Sequence, residues 1–167
     1  MAARITRTLS RSKIMEQEIR LESYNDASRR HGFLSWDQSS AWLYLHEPSS
    51  SPNRSGPVES TGFAFNLIPP IKNSEVHSYR PSPPPIVDRF ASDFAICTNP
   101  IDYKWTINWS NDGQSIALHR NGEPWCFITS DAPYGFSRAI ANDGPWGSPW
   151  CDESFAQTDW GSAENAR

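Results

Sequence analysis

Between Ile101 and Thr129 the residue alternation leaves room for little except an antiparallel meander. Ile101, Tyr103, Trp105, Ile107 and Trp109 alternate with Asp102, Lys104, Thr106 and Asn108, the period-two pattern of a half-buried strand. Ser110-Asn111-Asp112-Gly113 reads as a turn, and a second strand follows through Arg120. Asn121-Gly122 is the preferred pair for a type I′ hairpin, so a third strand is expected from Glu123 to Thr129. A two-residue turn there sets Arg120 opposite Glu123, Leu118 opposite Trp125 and Ile116 opposite Phe127. Across the first turn Ile107 meets Ile116 and Trp105 meets Leu118. One face then holds Tyr103, Trp105, Ile107, Trp109, Ile116, Leu118, Trp125 and Phe127, and is a core face. The other holds Lys104, Thr106, Asn108, Ser115, Ala117, His119, Cys126 and Ile128, half wet or lightly covered. A slip of one residue would mix the two faces, which favours this register. Arg120–Glu123 closes the rim as a cross-strand ion pair worth about 0.2–1 kcal/mol.

Outside this meander the pattern is weaker. Residues 12–30 read as a surface helix, with Glu16/Arg20 and Asp26/Arg30 at favourable i,i+4 spacing and Gly32 as its stop. Ser35 and Gln38 have capping-box spacing ahead of Ala41–Leu45, where a short strand over 41–46 fits nearly as well. Residues 48–58, PSSSPNRSGPV, have the composition of a linker or loop. Phe63, Phe65 and Leu67 alternate as a strand ended by Pro69 and Pro70. Residues 69–85 read as an extended surface arm whose Arg80–Pro85 run favours polyproline II. Phe90–Thr98 fits a strand or a short helix. Tyr134–Gly144 reads as a short helix from about 136 to 142, stopped by Gly144. The segment Ile107–Ala117 resembles one blade hairpin of a β-propeller repeat, but the pattern occurs once where a propeller needs at least four blades.

Charge and cysteine usage bound the function. The formal net charge of −4 argues against a general nucleic-acid binder. The exception is the N-terminal run Arg4, Arg7, Arg11 and Lys13, a possible nucleic-acid contact whose composition also fits an organellar targeting segment. Cys97, Cys126 and Cys151 are odd in number, widely spaced and without a CxxC, as expected of reduced thiols in a cytoplasmic protein. No run of apolar residues is long enough for a transmembrane helix.

No Walker loop, GxGxxG, GxSxG or HExxH occurs, and no cofactor or metal site is expected. A thiol nucleophile would need Cys126 beside His119, and these two with Lys104 form an alternative polar-face site. Two features carry more weight. In Gly144-Pro145-Trp146-Gly147-Ser148-Pro149-Trp150 a Pro-Trp unit recurs four residues apart, so each indole is held before any partner arrives. Such rings suit an interface anchor or a sugar platform; the competing role is to cap the aromatic core. Tyr134 and Arg138, one helical turn apart, would expose an aromatic and a planar cation together.

The resulting expectation is an α+β fold: an N-terminal helical segment (1–47), a linker or loop (48–58) and an antiparallel sheet unit (59–167) able to join 14–47 in one globule. Its Pro/Trp-rich C-terminal loops would bind another protein without catalysis through Tyr134, Arg138, Trp146 and Trp150, as an inhibitor, an immunity or defence-antagonist protein, or a small subunit of an assembly. The alternative is an enzyme or carbohydrate-binding protein using Lys104, His119 and Cys126 or the Pro-Trp loop.

Overall fold

The computed structural model describes residues 17–161; the basic run Arg4, Arg7, Arg11 and Lys13 lies outside them. The first sheet is β1 (Glu18–Asn25), β2 (Arg30–Trp36), β3 (Ser40–His46) and β4 (Val58–Asn66), paired antiparallel in chain order. The second is β5 (Trp105–Trp109), β6 (Ile116–Arg120), β7 (Glu123–Ile128), β8 (Phe136–Ser137) and β9 (Ser148–Pro149), with β8 and β9 parallel. Among the described residues, helix is confined to two 3-10 segments, Asn73–Tyr79 and Pro100–Asp102, and one α-helix, α1 (Asp152–Gln157). The α+β expectation is therefore corrected: the described residues form a mostly β structure of two sheets on one core.

From residue 17 on, the helix expected over 12–30 is instead the β1–β2 hairpin; residues 12–16 lie outside the described ones. Tyr24 pairs with His31 and Asn25 with Arg30. Arg29 takes the left-handed φ of 59° that closes the turn, its N–H donating to the Asn25 carbonyl at 2.7 Å. The apolar residues that scatter around a helix fall into place on a strand: Leu21 packs on the core while Ile19 faces out. The two arginines of the expected helix pairs serve the sheet. Arg20 pairs with Glu18 at 3.0 Å and lies over Trp36, and Arg30 is buried against Glu59, Gln114 and the His46 carbonyl. The Ser35/Gln38 spacing is no helix cap, because Asp37 accepts from the Ser39 and Ser40 N–H groups to turn β2 into β3.

Residues 47–57 connect β3 and β4, neighbours in one sheet, and bond back onto it: the Glu47 N–H reaches the Pro57 carbonyl and the Ser49 N–H that of Arg29. The 69–85 arm is not extended along the surface either. The Ile71 N–H bonds the Ile86 carbonyl and the Asp88 N–H that of Ile71, closing the segment into a loop whose middle is the 73–79 3-10 turn. Residues 90–98 form turns and isolated bridges, Asn66–Ile96 and Ala91–Ile140, in place of the strand or helix expected.

The meander is present, with two changes of register. Asn121 and Gly122 both have positive φ, 50° and 84°, as a type I′ turn requires. Across the first turn, Trp105 lies opposite Arg120 and Ile107 opposite Leu118, because Gln114 and Ser115 belong to the turn, which Asp112 ties to Ser110 and Gln114. That shift is by two residues, so the faces of β5 and β6 survive. The second change is a β-bulge at Trp125: His119 faces Pro124, yet Leu118 faces Cys126 and Ala117 faces Phe127. Beyond the bulge the faces of β7 are exchanged. Cys126 and Ile128 join Leu118 and Ile116 in the core, and Trp125 stays with them.

Phe127 thus points outward, and the exchange is tolerated because it is roofed by rings. Phe136, Trp150, Phe155 and Trp160 lie with centroids 4.7–6.2 Å from it. Between the sheets, two indoles act as cross-ties: Trp109 Nε1 donates to Ser23 Oγ and Trp125 Nε1 to the Ala64 carbonyl, each at 2.8 Å. Each hydrogen bond adds about 1 kcal/mol net, beyond the burial of the ring. A second core lies on the opposite side of β3 and β4, where Trp42 and Phe63 meet Ile71, Ile86, Val87, Ile140 and Trp146 from the long loops.

Candidate functional site

The Pro-Trp loop helps to build one concave surface of the molecule. Trp146 is not presented to solvent: only 6% of it is exposed, and its Nε1 donates to the Pro84 carbonyl at 3.1 Å. Gly144 and Gly147 bond each other through both backbone groups at 3.1 Å, pinching the loop around Pro145 and Trp146. Gly147 has φ of 129°, and a Cβ there would stand 2.5 Å from the Gly135 carbonyl oxygen, so the pinch needs glycine. Trp146 packs on Phe90, at 5.5 Å between ring centroids.

Opposite it stands Trp42 of β3, whose Nε1 donates to Ser40 Oγ, which in turn donates to the Pro83 carbonyl. Between these walls is a cleft of about 380 Å³ lined by Trp42, Val76, Pro84, Phe90, Pro145 and Trp146, with Asn73 and Arg89 as its polar members. Arg89 holds its guanidinium 4.7 Å from the centre of the Phe90 ring. The chemistry on offer is mainly apolar: both indole N–H groups are satisfied inside the protein, and most of the lining side chains are apolar.

Trp150 has a different environment. The Arg138 guanidinium stacks 4.0 Å from its ring centre, and Arg138 Nε donates to the Pro124 carbonyl at 2.7 Å. The helix expected over 136–142 is instead the two-residue strand β8 and a turn, since the Phe136 and Ser137 backbones pair with β7. Arg138 therefore meets Trp150, while Tyr134 stands 55% exposed.

The polar residues of the meander line the second surface, a groove of about 450 Å³ where β1 approaches β5. Lys104, Thr106, Asn108 and His119 line it together with Glu22 and Ser23. His119 lies opposite Thr106, its Nδ1 buried without a hydrogen-bond partner, and burial lowers its pKa below the usual 6.5. Cys126 is not part of this surface. The bulge turns it into the core, where it is fully buried and its thiol pKa is pushed up by desolvation. Lys104 and His119 are brought together, but the Cys–His pairing a thiol nucleophile needs is not formed.

The thiol with a lowered pKa is that of Cys151, which accepts a hydrogen bond from the Ser154 N–H at 3.4 Å. Among the described residues, no group of three or more His, Cys, Asp or Glu is placed to hold a metal ion. No described helix is long and apolar enough to cross a membrane. The sequence pointed to Trp146 but not to Trp42, Val76, Pro84 or Phe90 around it; nothing local marks residues that only tertiary packing brings together. No family model, curated protein or solved structure matches this chain.

Proposed function

We propose that the chain is a non-catalytic binding module that takes an apolar side chain of a partner polypeptide into the Trp146 cleft. The observation that supports this most strongly is that the cleft is preformed: both indoles are pinned by internal hydrogen bonds and the loop is pinched at Gly144 and Gly147. A partner would order little on binding, which is where preformed sites gain affinity. A buried Leu- or Phe-sized side chain contributes about 1.5–3 kcal/mol, so rim contacts at Asn73 and Arg89 would have to supply the rest. A sugar fits this cleft less well, because its hydroxyls would find few polar partners there.

Affinity capture from the source cells tests the reading. Wild type is compared with Val76→Trp, which fills the cleft, and with Glu123→Ala in the remote β6–β7 hairpin. The proposal expects one stoichiometric protein on wild type and Glu123→Ala and its loss from Val76→Trp, with thermal unfolding unchanged in all three. Equal retention by Val76→Trp, or no retained protein on wild type, would overturn it.

A further inference from the structure

Phe90 is the fixed point of the Trp146 cleft. A Cβ at Gly144 would collide with its ring, so the loop pinched at Gly144 and Gly147 rests on Phe90, and Trp146 packs on it as well. Its backbone is tied down: the Phe90 N–H donates to the Val87 carbonyl at 3.0 Å, and the Phe90 carbonyl accepts from the Ala141 N–H at 2.7 Å. The preceding residue, Arg89, has its own carbonyl held by Asn142 Nδ2 at 2.9 Å. Its guanidinium lies 4.7 Å from the centre of that fixed ring. A cation laid on a rigid platform loses less freedom when it pairs with a ligand than one on a free side chain does.

Charge then says what such a cleft complements. Among the described residues that line it, Arg89 alone is charged, and Asn73 adds a neutral amide that can donate. The rest of the lining is apolar, with Trp42 and Trp146 as facing walls. The matching ligand is an apolar group with one carboxylate close beside it, because the planar guanidinium fork fits a carboxylate bidentately. In an extended segment successive side chains point to opposite faces, so an Asp or Glu next to the inserted residue is turned away from the cleft. A chain-terminal carboxylate is carried on the Cα of the inserted residue itself and stays beside its side chain.

We infer that the cleft takes the carboxyl-terminal residue of a partner polypeptide. The apolar side chain enters between Trp42 and Trp146, and the terminal carboxylate pairs with Arg89 and accepts from the Asn73 amide. This rests on the binding role proposed above and makes Arg89 its specificity-determining residue. An apolar pocket alone accepts any internal Leu or Phe that reaches it. A terminal carboxylate occurs once per chain, and an internal residue would leave the guanidinium facing a neutral amide.

The test is selection against the full chain of random peptides displayed with free carboxyl termini. The enriched peptide is then made as the terminal acid and as the terminal amide, and both are titrated by fluorescence anisotropy against wild type, Arg89→Gln and Val76→Trp. Arg89 is exposed, so Arg89→Gln should keep the fold, checked by thermal unfolding. On wild type the amide should bind at least about tenfold more weakly than the acid. Arg89→Gln should weaken the acid by at least about tenfold and bring acid and amide together, as expected when one pair carries the difference. Val76→Trp should lose the acid. Equal binding of acid and amide on wild type, binding that depends on an internal Asp or Glu, or no enriched peptide would overturn the inference. Acid and amide bound equally by wild type and both lost from Val76→Trp would remove the terminal carboxylate and leave the apolar cleft standing. Binding untouched by Val76→Trp would remove both.

Discussion

The cleft at Trp146 and the groove beside β5 are of similar size, about 380 and 450 Å³, and opposite in construction. In the cleft, side chains form the surface and both indole N–H groups are spent inside the protein. In the groove, the neighbouring edges of β1 and β5 form the surface, with Lys104, Thr106, Asn108 and His119 as its polar side chains. Changing the residues that frame the cleft disturbs packing, while filling it at Val76 or changing the groove need not.

The largest expected effect breaks the cleft's frame. Gly147→Ala forces a side chain into positive φ and against the Gly135 carbonyl, and should cost about 3 kcal/mol or more by urea unfolding. Trp146→Phe keeps a ring but leaves the Pro84 carbonyl without its donor, and should cost about 2 kcal/mol and weaken partner capture. Trp150→Phe gives up only an exposed hydrogen bond to Asp152 and should cost less by the same measurement; an equal cost would mean that the two Pro-Trp units are held alike.

On the groove side the effects are smaller and depend on pH. Burial lowers the folded-state pKa of His119 below 6.5, so its contribution to stability is present above that value and is lost as pH falls below it. Thermal melts between pH 7 and pH 5 should show a shallower decline for His119→Gln than for wild type. Thiol labelling sharpens the same contrast: Cys151 should react first near neutral pH, and Cys126, sealed beneath the bulge, only on unfolding. Lys104→Ala should change stability by less than about 0.5 kcal/mol, measured by urea unfolding.

What the sequence disclosed follows the range of the interactions. Asn121-Gly122 announced its turn because a type I′ hairpin is decided by two adjacent residues, and the alternation of β5 survived intact. The bulge at Trp125 was illegible because Trp125, Cys126, Phe127 and Ile128 are all apolar, so no polar residue marks which of them turns outward. The β1–β2 hairpin has the sequence look of a helix because Asp26 and Arg30 fit an i,i+4 pair; what Arg30 meets is Glu59 and Gln114, far along the chain. The Pro-Trp motif was visible as a constrained aromatic loop. Its inward turn was not, since that depends on Pro84 and Phe90.

The most direct test of the central claim is site-specific photo-crosslinking from the cleft. A photoreactive phenylalanine analogue at Val76, and in a separate chain at Glu123, is irradiated in the source cells, and the adducts are identified by mass spectrometry. The account predicts one protein joined to the Val76 position through an apolar side chain and absent from the Glu123 position. Identical adducts at both positions, or none at Val76, would contradict it.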